Sequence, residues 1–294
     1  MQQTVRPSAS LQNAAAYRRK VLIHALAYVF LGFVLLTVIL PFAWVFSNAF
    51  RANDEIGKFT DFSLYTFLPK DFTMNNFVRM FQQLNMVQIL LNTLLVALAV
   101  MFGSLFINAL TAYAFARIRF VGKNALFLLL ISMLVLPIEI LIIPLYLTVA
   151  KMNLSDTYWA LIVPFLAAPF GIFFMRQFFS SIPRALDEAA ILDGCGHFQI
   201  FSRIFIPLSK TPLFTLGLLV FMQQWDSFIV PVTLINDESK MVLQVALTRL
   251  SMGLYMTDYG VLYAGVALSI VPMLIVYLLF QKNIVENIAA VGIK

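Results

Sequence analysis

The feature that most constrains this chain is its set of long runs without a formal charge. Residues 21–50, 80–116, 157–175 and 259–281 contain no Asp, Glu, Lys or Arg. Two further runs, 124–150 and 211–236, are each interrupted by a single acid, Glu139 and Asp226. A helix needs about 20 apolar residues to cross a bilayer core, and it satisfies its own backbone polar groups in lipid. The runs predict six transmembrane helices near 22–46, 88–116, 125–149, 158–178, 212–235 and 260–281, hence an all-α membrane protein. Composition agrees, because 61% of the residues are hydrophobic and only 12% are charged. Soluble domains carry about 25% charged residues, so the apolar surface of this chain needs lipid as its solvent. The first run is too long for the apolar core of a signal peptide and lacks a clear small-x-small cleavage site, so it is expected to be a retained anchor.

The basic residues orient the helices. With the amino terminus placed in the cytosol, thirteen of the twenty Lys and Arg residues fall inside, among them Arg18, Arg19, Lys20, Arg117, Arg119, Lys123, Arg176, Arg184, Arg203 and Lys210. Arg51, Lys58, Lys70, Arg79, Lys151, Lys240 and Arg249 fall outside. This bias follows the positive-inside rule, so both termini are predicted to be cytosolic. The net charge of +6 is accounted for by this sorting and calls for no nucleic-acid partner. The expected organisation is a cytosolic segment 1–20, a transmembrane body 21–282 and a cytosolic tail 283–294. Within the body lie an outside loop 47–87 and a cytosolic loop 179–211. The outside loop mixes aromatics with charges and reads either as an ordered connector or as a docking surface, as does a second outside loop, 236–258.

One stretch does not fit its apolar surroundings: residues 183–212, PRALDEAAILDGCGHFQIFSRIFIPLSKTP. Ser180 or Ser181 is expected to cap a helix with Pro183 in its first turn, where the missing N–H costs nothing. Asp187 and Glu188 then lie near the positive end of its dipole. Gly194 and Gly196 are expected to supply the positive φ that stops the helix. A second short helix over 197–205 presents Phe198, Phe201, Ile204 and Phe205 at 3–4 spacing. Pro207 is expected to end it, and Pro212 to open the fifth span. The small Ala189 and Ala190 allow a partner's backbone to come close, and a ten-residue helix of about 15 Å fills one groove. The stretch therefore reads as a docking knob. The alternative is an interfacial helix on lipid headgroups, which usually favours Lys and Arg over acids.

Glu188-Ala189-Ala190, Asp193-Gly194, Ile204, Pro207-Leu208 and Pro212 resemble the EAA loop of binding-protein-dependent ABC importers, the permease element that docks on the ATPase. Thr111 to Arg117 ahead of Arg119-Phe120, the prolines Pro137 and Pro144, and Trp225 to Pro231 resemble the carbohydrate-uptake branch, in particular the second permease of maltose-type transporters. The resemblance covers residues 20–294. Asp226 departs from it, standing where many relatives carry Asn. The resemblance implies a type I ABC importer permease architecture, with Glu188, Ala189, Ala190, Asp193, Gly194, Ile204 and Pro207 coupling to the ATPase. It also implies a second permease as heterodimer partner, two nucleotide-binding ATPase subunits, an extracytoplasmic solute-binding protein and a bacterial inner-membrane location. ATP and Mg would sit on the ATPases, with no cofactor on this chain. No phosphate-binding loop contradicts this: Gly57-Lys58 and Gly122-Lys123 are followed by Phe59 and Asn124, where such a loop needs Ser or Thr. A non-enzymatic transport subunit is expected.

Acids inside apolar spans are costly and often functional. Asp226 is expected with Gln223, Gln224, Trp225 and Ser227 in a wet cavity, and Glu139 on the same pathway, since carboxylates, amides and aromatic faces bind sugars. The plainer reading leaves each acid satisfied by helix ends or water. A competing class is a secondary transporter in which Glu139 and Asp226 relay protons or bind a cation. With His24, His197 and Cys195 as the only His and Cys, no metal cluster is expected. The cargo stays open among neutral disaccharides, maltodextrin-like oligosaccharides, polyols, glycerol phosphate and acidic uronate oligosaccharides.

Overall fold

The computed structural model describes residues 9–57, 64–251 and 258–292. Residues 1–8 of the expected amino-terminal segment, 58–63 of the outside loop (with Lys58), 252–257 of the second outside loop and 293–294 of the tail lie outside the described residues. The described residues form helices and no strand, with one isolated bridge between Arg51 and Phe72. In chain order these are α1 (Ala9–Ala49), α2 (Leu64–Phe67), α3 (Asn75–Gln83), α4 (Met86–Arg117), α5 (Lys123–Ser132), α6 (Ile138–Lys151), α7 (Tyr158–Ile162) and α8 (Pro169–Ser181). After them come α9 (Ala185–Leu192), α10 (His197–Ile200), α11 (Ile206–Leu208), α12 (Lys210–Trp225), α13 (Ile229–Leu234), α14 (Leu243–Ser251) and α15 (Tyr259–Gly292). The expected carboxy-terminal tail continues α15 as far as Gly292.

Four helical stretches are long and apolar enough to cross a membrane: Lys20–Ala49, Met86–Arg117, Tyr158–Ser181 and Tyr259–Gln281. The count becomes six if each of two bent pairs is one span. The bends correct the expectation of straight helices at the third and fifth spans. Between Lys123–Val135 and Ile138–Lys151 the direction changes by 109°. Leu136, forced toward extended geometry by the ring of Pro137, sits at φ −83° and ψ 114°. Likewise 212–235 is not one helix, because α12 stops at Trp225 and α13 begins only at Ile229. His197–Leu208 meets Lys210–Trp225 at 81°.

The chain divides into two compact units, Met1–Phe77 with Tyr259–Ala267, and Val78–Asp258 with Leu268–Lys294. In the first unit α1 exposes Val21, Phe30, Phe33 and Leu36, apolar on every face, as a lipid-facing helix is. Its end is closed by a buried polar knot. Arg51 donates to Ser47 Oγ (3.1 Å), Asn48 Oδ1 (3.3 Å) and the Thr66 carbonyl (3.3 Å). Asn76 donates to the carbonyls of Ala49 (2.9 Å) and Arg51 (2.7 Å), taking up acceptors that a helix end leaves unpaired. The described part of loop 47–87 is therefore ordered by its own polar side chains.

In the second unit α4 is the central helix, with α8 and α12 packed along it. Its buried positions include Ala97, Ser104, Asn108, Ala109 and Ala112, small or hydrogen-bonding residues of the kind that lets membrane helices approach closely. Gly171 of α8 lies so close to Asn108 that a Cβ there would collide with the amide. Asn108 is fully buried, donating to Ser104 Oγ (2.6 Å) and accepting from the Ala168 amide (3.0 Å) at the start of α8. The described part of loop 236–258 is anchored too. Asn92 accepts from the Tyr158 hydroxyl (2.8 Å) and donates to the carbonyls of Ser239 and Met241, while Thr93 Oγ1 accepts from the Leu243 amide.

Candidate functional site

Two places in the second unit carry the candidate residues. The first is the loop between α8 and α12. Contrary to expectation, neither Ser180 nor Ser181 caps α9. Helix α8 runs through Ser181, whose hydroxyl donates back to the Phe178 carbonyl (2.7 Å). Ile182 is extended, as a residue before proline tends to be, and α9 starts after Arg184 without a side-chain cap. Asp187 and Glu188 occupy its first turn. It stops where expected. Gly194 takes φ +81°, its amide donates to the Ile191 carbonyl (3.0 Å), and the Cys195 amide donates to the Ala190 carbonyl (2.9 Å). This pair of bonds is a Schellman stop, which needs the left-handed residue that glycine supplies. Gly196 corrects the reading: at φ −76° it needs no glycine freedom, and its amide donates to Gln199 Oε1.

Pro207 does not end the second helix. Helical structure runs from His197 to Leu208 and breaks at Ser209. Without an N–H at Pro207 the carbonyl four residues back has no ordinary donor. The chain widens over Phe201–Phe205 into a π-turn, with the Ile206 amide donating to the Phe201 carbonyl. Phe201 and Phe205 are buried and Ile204 is half-buried, whereas Phe198 is exposed. Of the expected coupling residues, Glu188, Ala189, Asp193, Gly194 and Pro207 are exposed, and Ala190 is buried. Leu192, 89% exposed, projects from the end of α9.

Arg117 holds this element in place. In sequence it counts only as an inside basic residue and as the end of a motif, and it is the anchor that sequence reasoning missed. Its guanidinium donates to the Ile182 carbonyl, forms an ion pair with Asp187 (Nε–Oδ2 3.3 Å) and lies 5.0 Å above the Phe205 ring. One side chain at the end of α4 thus touches the turn before α9, α9 itself and the π-turn. Burial pushes the Asp187 carboxyl upward, and Arg117 and Arg184 pull it back only in part. Tyr113, one turn earlier on α4, packs edge-on against Phe205 (5.0 Å), and its hydroxyl meets His197 Nδ1 at 3.3 Å. The legible signal was a lone basic residue closing a long apolar helix.

The second place is a cavity of about 1000 Å³ between the α5–α6 bend, residues 164–172 and residues 223–230. The break after Trp225 builds its polar wall. Gln223, Gln224, Asp226 and Ser227 line it, with Phe165, Phe170 and Phe228. Asp226 is exposed, and its Oδ1 accepts from Gln244 Nε2 at 3.4 Å. Two expected residues are not brought in. Trp225 is buried on the other side of α12, stacked on Phe221 with Nε1 donating to the Ser269 carbonyl (3.2 Å). One residue of helix turns a side chain by about 100°, which separates it from Asp226. Glu139 is exposed in the first turn of α6, where the helix dipole favours an acid; its neighbours Ile138 and Leu141 line the cavity and it does not. Among the described residues no group of three His, Cys, Asp or Glu is placed to hold a metal ion.

Residues 109–289 match the family described as binding-protein-dependent transport system inner membrane component. The chain belongs to this family. The matched region holds the loop between α8 and α12, the cavity and the last quarter of α4. This permease is 35% identical over 269 residues to the probable ABC transporter permease protein YurM of Bacillus subtilis, covering 91% of this chain and 87% of that one. It is 29% identical to the diacetylchitobiose uptake system permease protein NgcG of Streptomyces coelicolor, covering 86% and 83%. A crystal structure of a bacterial ABC transporter involved in the import of the acidic polysaccharide alginate contains a chain of the same fold. That match has TM-score 0.79 and 24% identity, and covers 95% of this permease and 99% of that chain. The all-α membrane architecture is thus that of an ABC importer permease.

Proposed function

We propose that this permease forms half of the translocation pathway of an ATP-driven carbohydrate importer in a bacterial inner membrane. It pairs with a second permease in a type I arrangement, two ATPase subunits and an extracytoplasmic binding protein. The observation that carries the reading is α9: an exposed eight-residue helix with a Schellman stop, tied through Arg117 to the central helix of its unit. Such a strut transmits movement of a docked ATPase into α4. With loop 179–211 on the cytosolic side, the exposed Glu188, Ala189, Asp193 and Gly194 form the ATPase-facing end, and the buried Ala190 with Ile204 and Pro207 shapes its base. ATP and Mg belong to the ATPases. Gln223, Gln224, Asp226 and Ser227 are the polar contacts offered to the cargo. A proton or cation relay through Glu139 and Asp226 is not favoured, because only one of the two acids lines the cavity.

Co-expression with the neighbouring genes, a detergent pull-down on this chain and an ATPase assay with sugar-loaded binding protein test the reading together. An ATPase should co-purify, and its activity should rise with one loaded binding protein. A chain that purifies alone and moves solute on an ion gradient would overturn it.

A further inference from the structure

Resting on that reading, we propose that the cavity selects against anionic carbohydrates, with Asp226 as the discriminating group, and that the cargo is an uncharged or amino-bearing saccharide. Family membership leaves the sign of the cargo open. One relative is named for diacetylchitobiose, which is uncharged, and the solved importer is described by its acidic polysaccharide. The residues that this chain brings to the pathway point to one sign.

Among the described residues Asp226 is the only formally charged one lining the cavity, and no Lys, Arg or His of this chain lines it. Its one side-chain partner among the described residues is the neutral amide of Gln244, so its negative charge is left uncompensated and turned to the cavity. The remaining wall is Leu, Ile, Val, Met, Pro, Ala and Phe with two glutamines and a serine. Such a wall screens a charge poorly, and a second carboxylate held beside the first is repelled far more than in water. Sugar hydroxyls and ammonium groups, by contrast, donate to that carboxylate, and Gln223, Gln224 and Ser227 both donate and accept.

The charges around loop 236–258 point the same way. Arg79 pairs with Asp258, Arg249 with Glu238 (3.2 Å) and Lys240 with Asp237 (2.6 Å). A pathway for an anion would gain from cations left open to steer it. Here each of the three is spent on an acid of the same chain.

The test uses the complex co-purified with its partners and placed in nanodiscs, without binding protein, so that only the pathway selects. Retention of three labelled probes of equal length is compared: maltotriose, fully deacetylated chitotriose and trigalacturonate. The uncharged or the amino trimer should be retained about ten-fold better than trigalacturonate, roughly the discrimination of one uncompensated charge. Asp226→Asn, which keeps the shape and a partner for Gln244, should shrink that ratio toward one, while Gln223→Ala should weaken all probes alike. Raising the salt concentration should narrow the wild-type ratio, a readout that needs no variant. Retention of trigalacturonate equal to or above the others would overturn the proposal. So would a ratio unmoved by both Asp226→Asn and salt, or no retention of any probe. The importer reading is judged separately, by ATPase co-purification.

Discussion

The two carboxylates Asp187 and Asp226 lie in one unit and have opposite surroundings. Asp187 is mostly buried and faces the Arg117 guanidinium, which itself lies over the Phe205 ring. Asp226 is exposed to a cavity and meets only a neutral amide. A buried charge with a built partner fixes geometry, and removing either member leaves the other stranded. An uncompensated charge facing open volume fixes nothing, so it stays available to a ligand. The difference separates a carboxylate that is held in place from one that is left open to the cavity.

The comparison is broken most directly at Arg117. Arg117→Ala strands Asp187 and removes three contacts, an expected loss of about 3 kcal/mol or more. In detergent it should sharply reduce both the thermal stability of the permease and its recovery with the ATPase. Asp226→Asn should leave the same melting curve within about 0.5 kcal/mol; comparable damage from the two would erase the distinction. Gly194→Ala places a Cβ in the left-handed region at φ +81°, costing about 1 kcal/mol. It should lower ATPase recovery more than overall stability, since the Schellman stop ends an exposed helix. Glu188→Lys changes no buried contact. It should leave the protein in the membrane and at wild-type thermal stability while uncoupling ATP hydrolysis from transport, read as the ratio of the two rates.

The smallest expected effect concerns acid. Asp237 is held at about 2 by hydrogen bonds from Lys240 and Ser239. Its folded value lies below the unfolded one, so its contribution is full above about pH 4 and is lost only as pH falls toward about 2. Asp187 is shifted the other way. Protonation relieves its burial cost, so acid does not destabilise the fold through this group, yet it dissolves the pair with Arg117. Acidification should therefore release the ATPase before it loosens the loop at Asp237. Pull-downs and protease protection of that loop, run along one pH series, check the order.

Much of the structure of loop 179–211 was legible because its signals are local. Gly194 was readable as a helix stop, since a glycine after a short amphipathic run has few other uses. The serine cap failed because α8 and the turn at Ile182–Pro183 claimed the residues first. Pro207 failed as a terminator because a helix absorbs a proline by widening into a π-turn when Phe201 and Phe205 are anchored by packing. The cavity was half legible. Gln223, Gln224, Asp226 and Ser227 line it together, but Trp225 and Glu139, equally close in sequence, do not.

What the sequence alone determined is what depends on solvent and on short-range backbone chemistry. Charge-free runs demand lipid, and a glycine stops α9. Only the tertiary structure decided which charges are spent and which are left open. Arg117 reaches Ile182 and Asp187 across 65 and 70 positions of chain, and the break after α12 turns Asp226 into a cavity while Trp225 faces Ser269. Pairing and burial are properties of distance in space. A linear pattern names the candidates, and packing assigns their roles.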